Sequence, residues 1–457
     1  MTRKSIAHEE GGVARCLLKT GAWVLGLGSI LLFTACGRQQ DLQQLSVQAP
    51  VPEGSRSVAD LNSFAGEGTL KTSTTLPAGK LRRYQLQMAP GDLMALENES
   101  FSNDTRPATF IADGKTYSGV KVRVRGSWSR SWPKKSLKIL FDHASPFEEH
   151  HSLNLNSGWR DPAFVREPLA YYVYAACGVP APACRMVRLD VNGKFAGVYV
   201  EVEQPEKAFL SRVGFPGASI YKAISRGRDA DERDLGNDDA YHAGYDKETH
   251  KTEGYGELEQ FCRDLSTCTN VIDFFNQRVD LEHYIDYLAA TVLIQHWDGF
   301  NKNHFLVYDG RASKKWLVVP WDLDRTFGDH WNWSFDETRL PALLGTRRLP
   351  GITGWNRLEE RFFSDPSLKA RFVERLKTLI DKEFTEEKLF PVLDRLEAEI
   401  TPDGETDRRK WPGSAPDFHA GIRQVKVFIR QRRAFLAGEI DRLRRTDLTT
   451  QTRERGL

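Results

Sequence analysis

The residues best suited to chemistry lie in one stretch, His296 to Gly328. Asp298 is followed five positions later by Asn303; then come the apolar run Phe305–Tyr308, a turn at Asp309-Gly310, a second run from Trp316 to Val319, Pro320, and then Asp322 and Asp324. Two short apolar runs joined by an Asp-Gly turn predict a β-hairpin. It would hold an Asp/Asn pair at the root of one strand and an Asp pair at the root of the other. Hard cations such as Mg²⁺ are bound by a few oxygen ligands of this kind, with phosphate oxygens completing the shell. Phosphoryl transfer needs a carboxylate at the attacking hydroxyl, plus an Asn and a second Asp on the metal. Singly, Asp and Asn are ordinary turn residues. Their order and spacing as a set carry the reading.

Such a site needs a phosphate-binding side. From Tyr117 to Arg125 the chain alternates, with Val120, Val122 and Val124 on one face and Lys121, Arg123 and Arg125 on the other. Leu137, Ile139 and Phe141 make a second alternating strand that carries Lys138 on its opposite face. Period-two alternation predicts half-buried strands. Between them lie Gly126, Ser127, Ser129, Lys134 and Lys135. This loop could close over phosphates through backbone N–H groups and basic side chains, or be a solvated basic hairpin. In the first case Arg125, Lys135 and Lys138 offset phosphate charge, with Lys138 the first choice for the phosphate-side lysine and Lys135 the second.

The remaining elements follow from pattern. A first strand is expected over 80–87 and a helix from Asp161-Pro162 to about Ala176. Asn192-Gly193 marks a hairpin between a strand with Val187 and Leu189 and a return strand with Val198, Val200 and Val202. Together these predict a sheet with a helix inserted. Residues 225–256 are mostly charged residues, Gly and Tyr, and read as an excursion outside the core. A helix from Asp280 to Ile294 delivers the chain to Asp298. After Gly328 an irregular, Trp-rich segment follows, then two amphipathic helices over 366–400, a loop through Pro402, Pro412 and Pro416, and a last helix over about 418–443.

At 457 residues, 40% hydrophobic and 28% charged, the chain can bury a large core. A net charge of +2 gives no nucleic-acid footprint, and no nucleic-acid partner is expected. The apolar run Ala22–Phe33 behind a basic flank is short for a membrane span and reads as an export signal. It ends in Thr34-Ala35-Cys36, which resembles a bacterial lipobox and implies cleavage before Cys36 and lipid on its sulfur. Residues 1–35 are then a lipoprotein signal peptide, and 36–80, rich in polar residues, Pro and Gly, a disordered tether to a membrane. Cys177, Cys184, Cys262 and Cys268 remain in the exported chain. Spacing suggests the bridges 177–184 and 262–268, although three pairings are possible.

The run Val124–Ser127 with Trp132–Lys138, then Asp161-Pro162 with Arg166, the Asn192-Gly193 hairpin closing on Glu203-Gln204, Tyr221-Lys222, and Pro320–Asp324 with Phe327-Gly328 resemble, in order, the spore coat protein H (CotH) kinases. The resemblance covers roughly residues 80–440. It implies an α+β, atypical protein-kinase-like fold, with a β-rich small lobe (81–205), a mainly helical large lobe (206–445) and a frayed tail (446–457). It also implies ATP- and Mg²⁺- or Mn²⁺-dependent phosphorylation of Ser in a protein acceptor. Asp298 becomes the catalytic residue and Asn303 and Asp322 metal ligands, with Asp324 sharing the metals or supporting the loop. Arg125, Gly126, Ser127, Lys135, Lys138 and Glu203 are placed on the nucleotide side. Glu167 is the nearest candidate for a helix carboxylate paired with a small-lobe lysine. The sequence departs from ordinary kinases in having no G-x-G-x-x-G loop, in Trp297 at the Arg position of H-R-D, and in Asp322-Leu323-Asp324 for D-F-G. The competing function is a catalytically inactive kinase-like scaffold acting as a surface adhesin or envelope assembly factor.

Overall fold

The computed structural model describes residues 81–330, 334, 336–348, 354–412 and 417–455, with side chains of the last helix as far as Arg445. The signal peptide, Cys36 and the tether lie outside these residues.

The N-terminal third of the described chain comprises β1 (Arg82–Gln87), α1 (Pro90–Asn98), β2 (Arg106–Ala112), β3 (Lys115–Val124), β4 (Leu137–Leu140), β5 (Ser152–Asn156), α2 (Arg166–Ala176), β6 (Cys184–Val191) and β7 (Lys194–Val202). The expected sheet is in fact a closed barrel, ordered β1-β2-β3-β4-β5-β7-β6. Closure comes from β1, which pairs antiparallel with β2 and parallel with β6 and so leaves no open edge. The alternating valines of β3 face the interior, where Phe110 meets Tyr84 and Phe147 edge-on at 5.0 and 5.3 Å. β6 and β7 are buried on both faces. Val187, Leu189 and Tyr199 fill the barrel, while Met186, Val198, Val200 and Val202 join the larger helical core with α2.

The remainder comprises α3 (Lys207–Arg212), β8 (Ser219–Ala223), α4 (Asp238–Gly244), β9 (Tyr245–Lys247), α5 (Gly256–Thr267), α6 (Val271–Arg278), α7 (Leu281–Ile294), β10 (His304–Tyr308), β11 (Trp316–Pro320), α8 (Arg357–Ser364), α9 (Pro366–Lys382), α10 (Glu386–Lys410) and α11 (Phe418–Arg455). A four-stranded sheet runs β11-β10-β8-β9. This is an α+β, kinase-like fold, with a β-rich small lobe and a mainly helical large lobe.

Several expectations need correction. Residues 225–256 are not an excursion: they supply α4, β9 and the buried Tyr241, Tyr245 and Tyr255. The helix expected from Asp161 begins at Arg166; Asp161 stays outside it and accepts from the Arg166 amide and guanidinium, both at 2.7 Å. Pro402 lies within α10 rather than in a loop, because that turn is held by packing: a Cβ at Gly404 would come within 2.8 Å of Phe418. The tail expected to fray at 446 continues helical to Arg455. Cys177, Cys184, Cys262 and Cys268 are free thiols, three of them buried. Cys262 lies in α5 and Cys268 caps it, six residues on, so roughly 9 Å of helical rise separates them, beyond disulfide reach.

The lobes are fastened together at the root of the basic loop. Lys134, fully buried, donates to the Val198 carbonyl and the Asp407 carboxylate, both at 2.5 Å, and Asp407 also accepts from the Val198 amide at 2.7 Å. One of the loop's cations thus ties β7 to α10.

Candidate active site

The hairpin forms with the register His304↔Pro320 through Tyr308↔Trp316, which puts Asn303 beside Trp321, whose amide donates to the Asn303 carbonyl at 3.1 Å. Asp309 holds the far end by accepting from the amides of Ala312 and Ser313 at 3.2 and 2.8 Å. α7 stops at Gln295, which is left-handed with φ 60°, and the Ile294 carbonyl takes the Phe327 amide at 2.8 Å. The end of α7 and the roots of both strands therefore converge. Trp297 is buried, its indole N–H donating 2.8 Å to the Asp329 carbonyl, a structural duty in the place where ordinary kinases carry an arginine. Asn303 and Asp322 both adopt left-handed backbone, φ 61° and 59°. Asn and Asp tolerate that conformation best, and such strain clusters at functional sites.

Within this junction the Asn303 amide donates to the Asp298 carboxylate at 3.0 Å, and Lys302 reaches the same carboxylate at 3.2 Å. Burial raises the Asp298 pKa; Lys302 opposes this and Asp322 adds to it. Asp324 is raised well above the usual carboxylate range by burial, then by Asp322 and Glu167. Glu167, on α2, is pushed to about 7 by burial, against a hydrogen bond from Asn156 and with a further push from Asp322. Asp298, Asp324 and Glu167 are thus each protonated more readily, chiefly through burial and further through the neighbouring Asp322. Among the described residues no three His, Cys, Asp or Glu side chains form a protein-only cage. The donors here, the Asn303 amide oxygen and the Asp322 and Asp324 carboxylates, are hard oxygens. They suit Mg²⁺ or Mn²⁺ with phosphate oxygens completing the shell.

The cations stand opposite. Arg125 bonds the Asn156 side chain and lies 5.8 Å from the Trp321 ring centre. Lys138 donates to Gln204 at 3.2 Å, and its pKa is lowered to about 8 by burial and by Arg125. Lys222, on β8, is lowered by burial and Arg125, partly offset by Glu248 and Asp322, and sits 5.3 Å from the Trp321 ring centre. Glu167 does not pair with a lysine. It takes both contacts from Asn156, at 3.1 and 2.8 Å, and Asn156 in turn accepts from Arg125. An Arg–Asn–Glu relay therefore takes the place of the Lys–Glu pair expected for Glu167.

Other expected residues are placed differently. Gly126, at φ 102°, has no room for a Cβ beside Ser129. The Ser127 carbonyl accepts from the Arg130 amide at 3.2 Å. Lys135 donates to the Arg130 carbonyl at 2.7 Å and so braces its own loop. The Glu203 carboxylate is taken up by Arg212 and by the Ala183 amide at 2.8 Å. Sequence reasoning missed Lys302 and Asn156 as site residues, and it named Lys222 within the Tyr221-Lys222 pair without giving it a role. Of the two missed residues, Lys302 had a local signal, its place immediately before Asn303.

A β-barrel small lobe fastened to a helical large lobe, with an Asp–Asn–Asp set at the root of a hairpin, defines an atypical protein-kinase-like protein. The CotH kinase protein family matches residues 122–436, and the chain belongs to that family. Inner spore coat protein H of Bacillus subtilis (strain 168) is 25% identical over 338 residues, 73% of this chain and 89% of that protein. The inner spore coat protein H-like protein of the same organism is 22% identical over 323 residues, 70% and 87% of the two chains. Invasin CotH2 of Rhizopus delemar is 25% identical over 240 residues, 49% of this chain but 40% of that longer protein.

Proposed function

We propose that this protein is an ATP- and metal-dependent kinase, exported and anchored to the cell envelope by lipid on Cys36, that phosphorylates Ser in an envelope or surface protein. The observation that carries this reading is the convergence of Asp298, Asn303 and Asp322 at one hairpin root, facing Arg125, Lys138 and Lys222. The acceptor Ser oxygen attacks the γ-phosphorus, the bond to the β,γ-bridging oxygen breaks, ADP departs, and the Ser proton passes to Asp298. The raised proton affinity of Asp298 suits a late acceptor. Asn303 and Asp322, with Asp324, would hold Mg²⁺ or Mn²⁺, whose charge offsets that of the β- and γ-phosphates. Arg125, Lys138 and Lys222 contribute the remaining positive charge, so catalysis is chiefly positioning and electrostatics.

The names of the relatives, spore coat protein and invasin, fit an acceptor in a surface layer; the second also favours the scaffold alternative. Calorimetry with ATP and Mg²⁺ or Mn²⁺, beside a transfer assay with labelled ATP and a Ser-rich acceptor, separates the two. Metal-dependent ATP binding and label transfer are expected. A protein that binds no nucleotide with either metal is the scaffold. For the anchor, Cys36→Ala should leave the membrane fraction. A mature Cys36→Ala protein that still sediments with membranes places the anchor elsewhere.

A further inference from the structure

The charged segment 225–256, which has no part in the proposed chemistry, supplies a clamp for the catalytic loop. We infer that Glu232 is the positioning residue for the loop from Asp298 to Asn303, acting through His304 and Asn356; its activity readout rests on the kinase reading above.

A loop without regular structure must find partners for its carbonyls elsewhere. Here each one has a partner. The Asp298 carbonyl accepts from the Asn303 side chain at 3.2 Å, and that of Asn303 from the Trp321 amide at 3.1 Å. The carbonyls of Gly299 and Lys302 face Nδ1 of His304 at 3.0 and 3.1 Å. That of Phe300 accepts from Nδ2 of Asn356 at 2.8 Å. That of Asn301 accepts from the Ala230 amide at 3.0 Å and from the Ser225 hydroxyl. Three of these carbonyls thus depend on His304 and Asn356, and Glu232 holds both side chains.

Glu232 is buried, with a left-handed backbone at φ 53°. Its Oε1 faces Nε2 of His304 at 2.9 Å and accepts from the Tyr245 hydroxyl at 3.0 Å, while Oε2 takes Nδ2 of Asn356. Asn356 cannot turn away, because its Oδ1 caps α8 through the Leu358 amide at 2.7 Å. The Tyr245 hydroxyl also accepts from the Glu232 amide at 3.1 Å. The strained glutamate is therefore fixed from both its side chain and its backbone. A residue that touches neither nucleotide nor acceptor can set where Asp298 and Asn303 stand, and small displacements of such groups cost rate steeply.

Glu232→Ala and Glu232→Gln in the full chain test this. Gln keeps one acceptor oxygen but turns an NH₂ toward Asn356 or His304, so it should be intermediate. In Glu232→Ala, amides 299–303 are expected to exchange hydrogen about tenfold faster or more, with α9 unchanged, as for a local opening. The kcat for transfer should fall about tenfold or more, while the KM and Kd for metal–ATP stay within about threefold, the pattern of an interaction realised in the transition state. Uniformly faster exchange with unchanged kcat per folded molecule, unchanged loop exchange in both variants, or equal loss of kcat and ATP affinity each overturns the inference. A parent that transfers no phosphate refutes the kinase reading instead, and the exchange measurement still decides the role of Glu232.

Discussion

Two loops face each other across the candidate site, and they are held in opposite ways. The proposed catalytic loop from Asp298 to Asn303 is buried at Gly299 and Phe300 and half-buried elsewhere, and each of its carbonyls has a partner. The basic loop from Arg125 to Lys138 is fixed at its roots and bare at its tip. Arg130 ties its base to Gly126, Phe101 and Ser102 at 2.8, 2.8 and 3.1 Å, and Lys134 locks it to α10, but Trp128 at the tip is 76% exposed. The groups assigned to chemistry are thus preorganised, as electrostatic catalysis requires, and the exposed tip at 126–128 carries none of the cations assigned to phosphate.

The largest effects should come from the rigid side. Asp322→Ala is expected to abolish metal-dependent nucleotide binding. Asp298→Asn should bind metal–ATP nearly as well as the parent yet transfer phosphate at least about a hundredfold more slowly. Calorimetry and a transfer assay on both variants check this. Normal transfer by Asp298→Asn would remove Asp298 from the role assigned to it and leave the fold untouched.

The root of the basic loop comes next. Lys134→Met leaves the buried Asp407 with Arg408 at 3.3 Å and the Val198 amide only, and should cost about 3–5 kcal/mol, whereas Lys134→Met with Asp407→Leu should recover part of that loss, because the Val198 amide then loses its acceptor. Denaturant midpoints of the three proteins measure it; a neutral single variant would mean the lobes are not fastened there.

A pH-dependent effect, modest over any single pH unit, distinguishes the clamp behind the proposed catalytic loop. Burial, then Glu232, pushes Glu359 up to about 8 from 4.5. A carboxyl raised on folding adds stability that is fully present below pH 4.5 and is lost as pH rises through 8. Glu359→Gln should remove that decline, which is at most about 1.4 kcal/mol per pH unit. Parallel melting curves of parent and variant between pH 5 and 8 would contradict the buried protonated carboxyl. The smallest effect is expected at the bare tip, where Trp128→Ala should change stability by no more than about 0.5 kcal/mol. A larger loss would show that the tip is packed after all.

Much of this was legible in the chain. The alternation of Val120, Val122 and Val124, the Asn192-Gly193 turn and the Asp309-Gly310 hairpin are local signals, and each is found where it was expected. The order Asp298, Asn303, Asp322 was also local, because a hairpin brings its two roots together once the register is set. The barrel was not legible, since its closure depends on β1 meeting β6 about 100 residues later, a pairing that no local pattern encodes. The disulfides were inferred from spacing alone, and spacing is silent on which way a helical thiol points.

Composition misled most at 225–256. Charge and glycine there read as solvated chain, yet Glu232, Tyr241 and Tyr245 are buried. A charged residue can be buried when partners satisfy it, and its partners, His304 and Asn356, lie far along the sequence. The sequence by itself determined which residues could do the chemistry, because residue type and short-range spacing set donor chemistry and hairpin geometry. Only the tertiary structure decided which cations stand opposite the acids, that Glu167 answers to Asn156 rather than to a lysine, and what holds the catalytic loop. Those choices rest on burial and long-range hydrogen bonds, which exist only once distant segments have packed together.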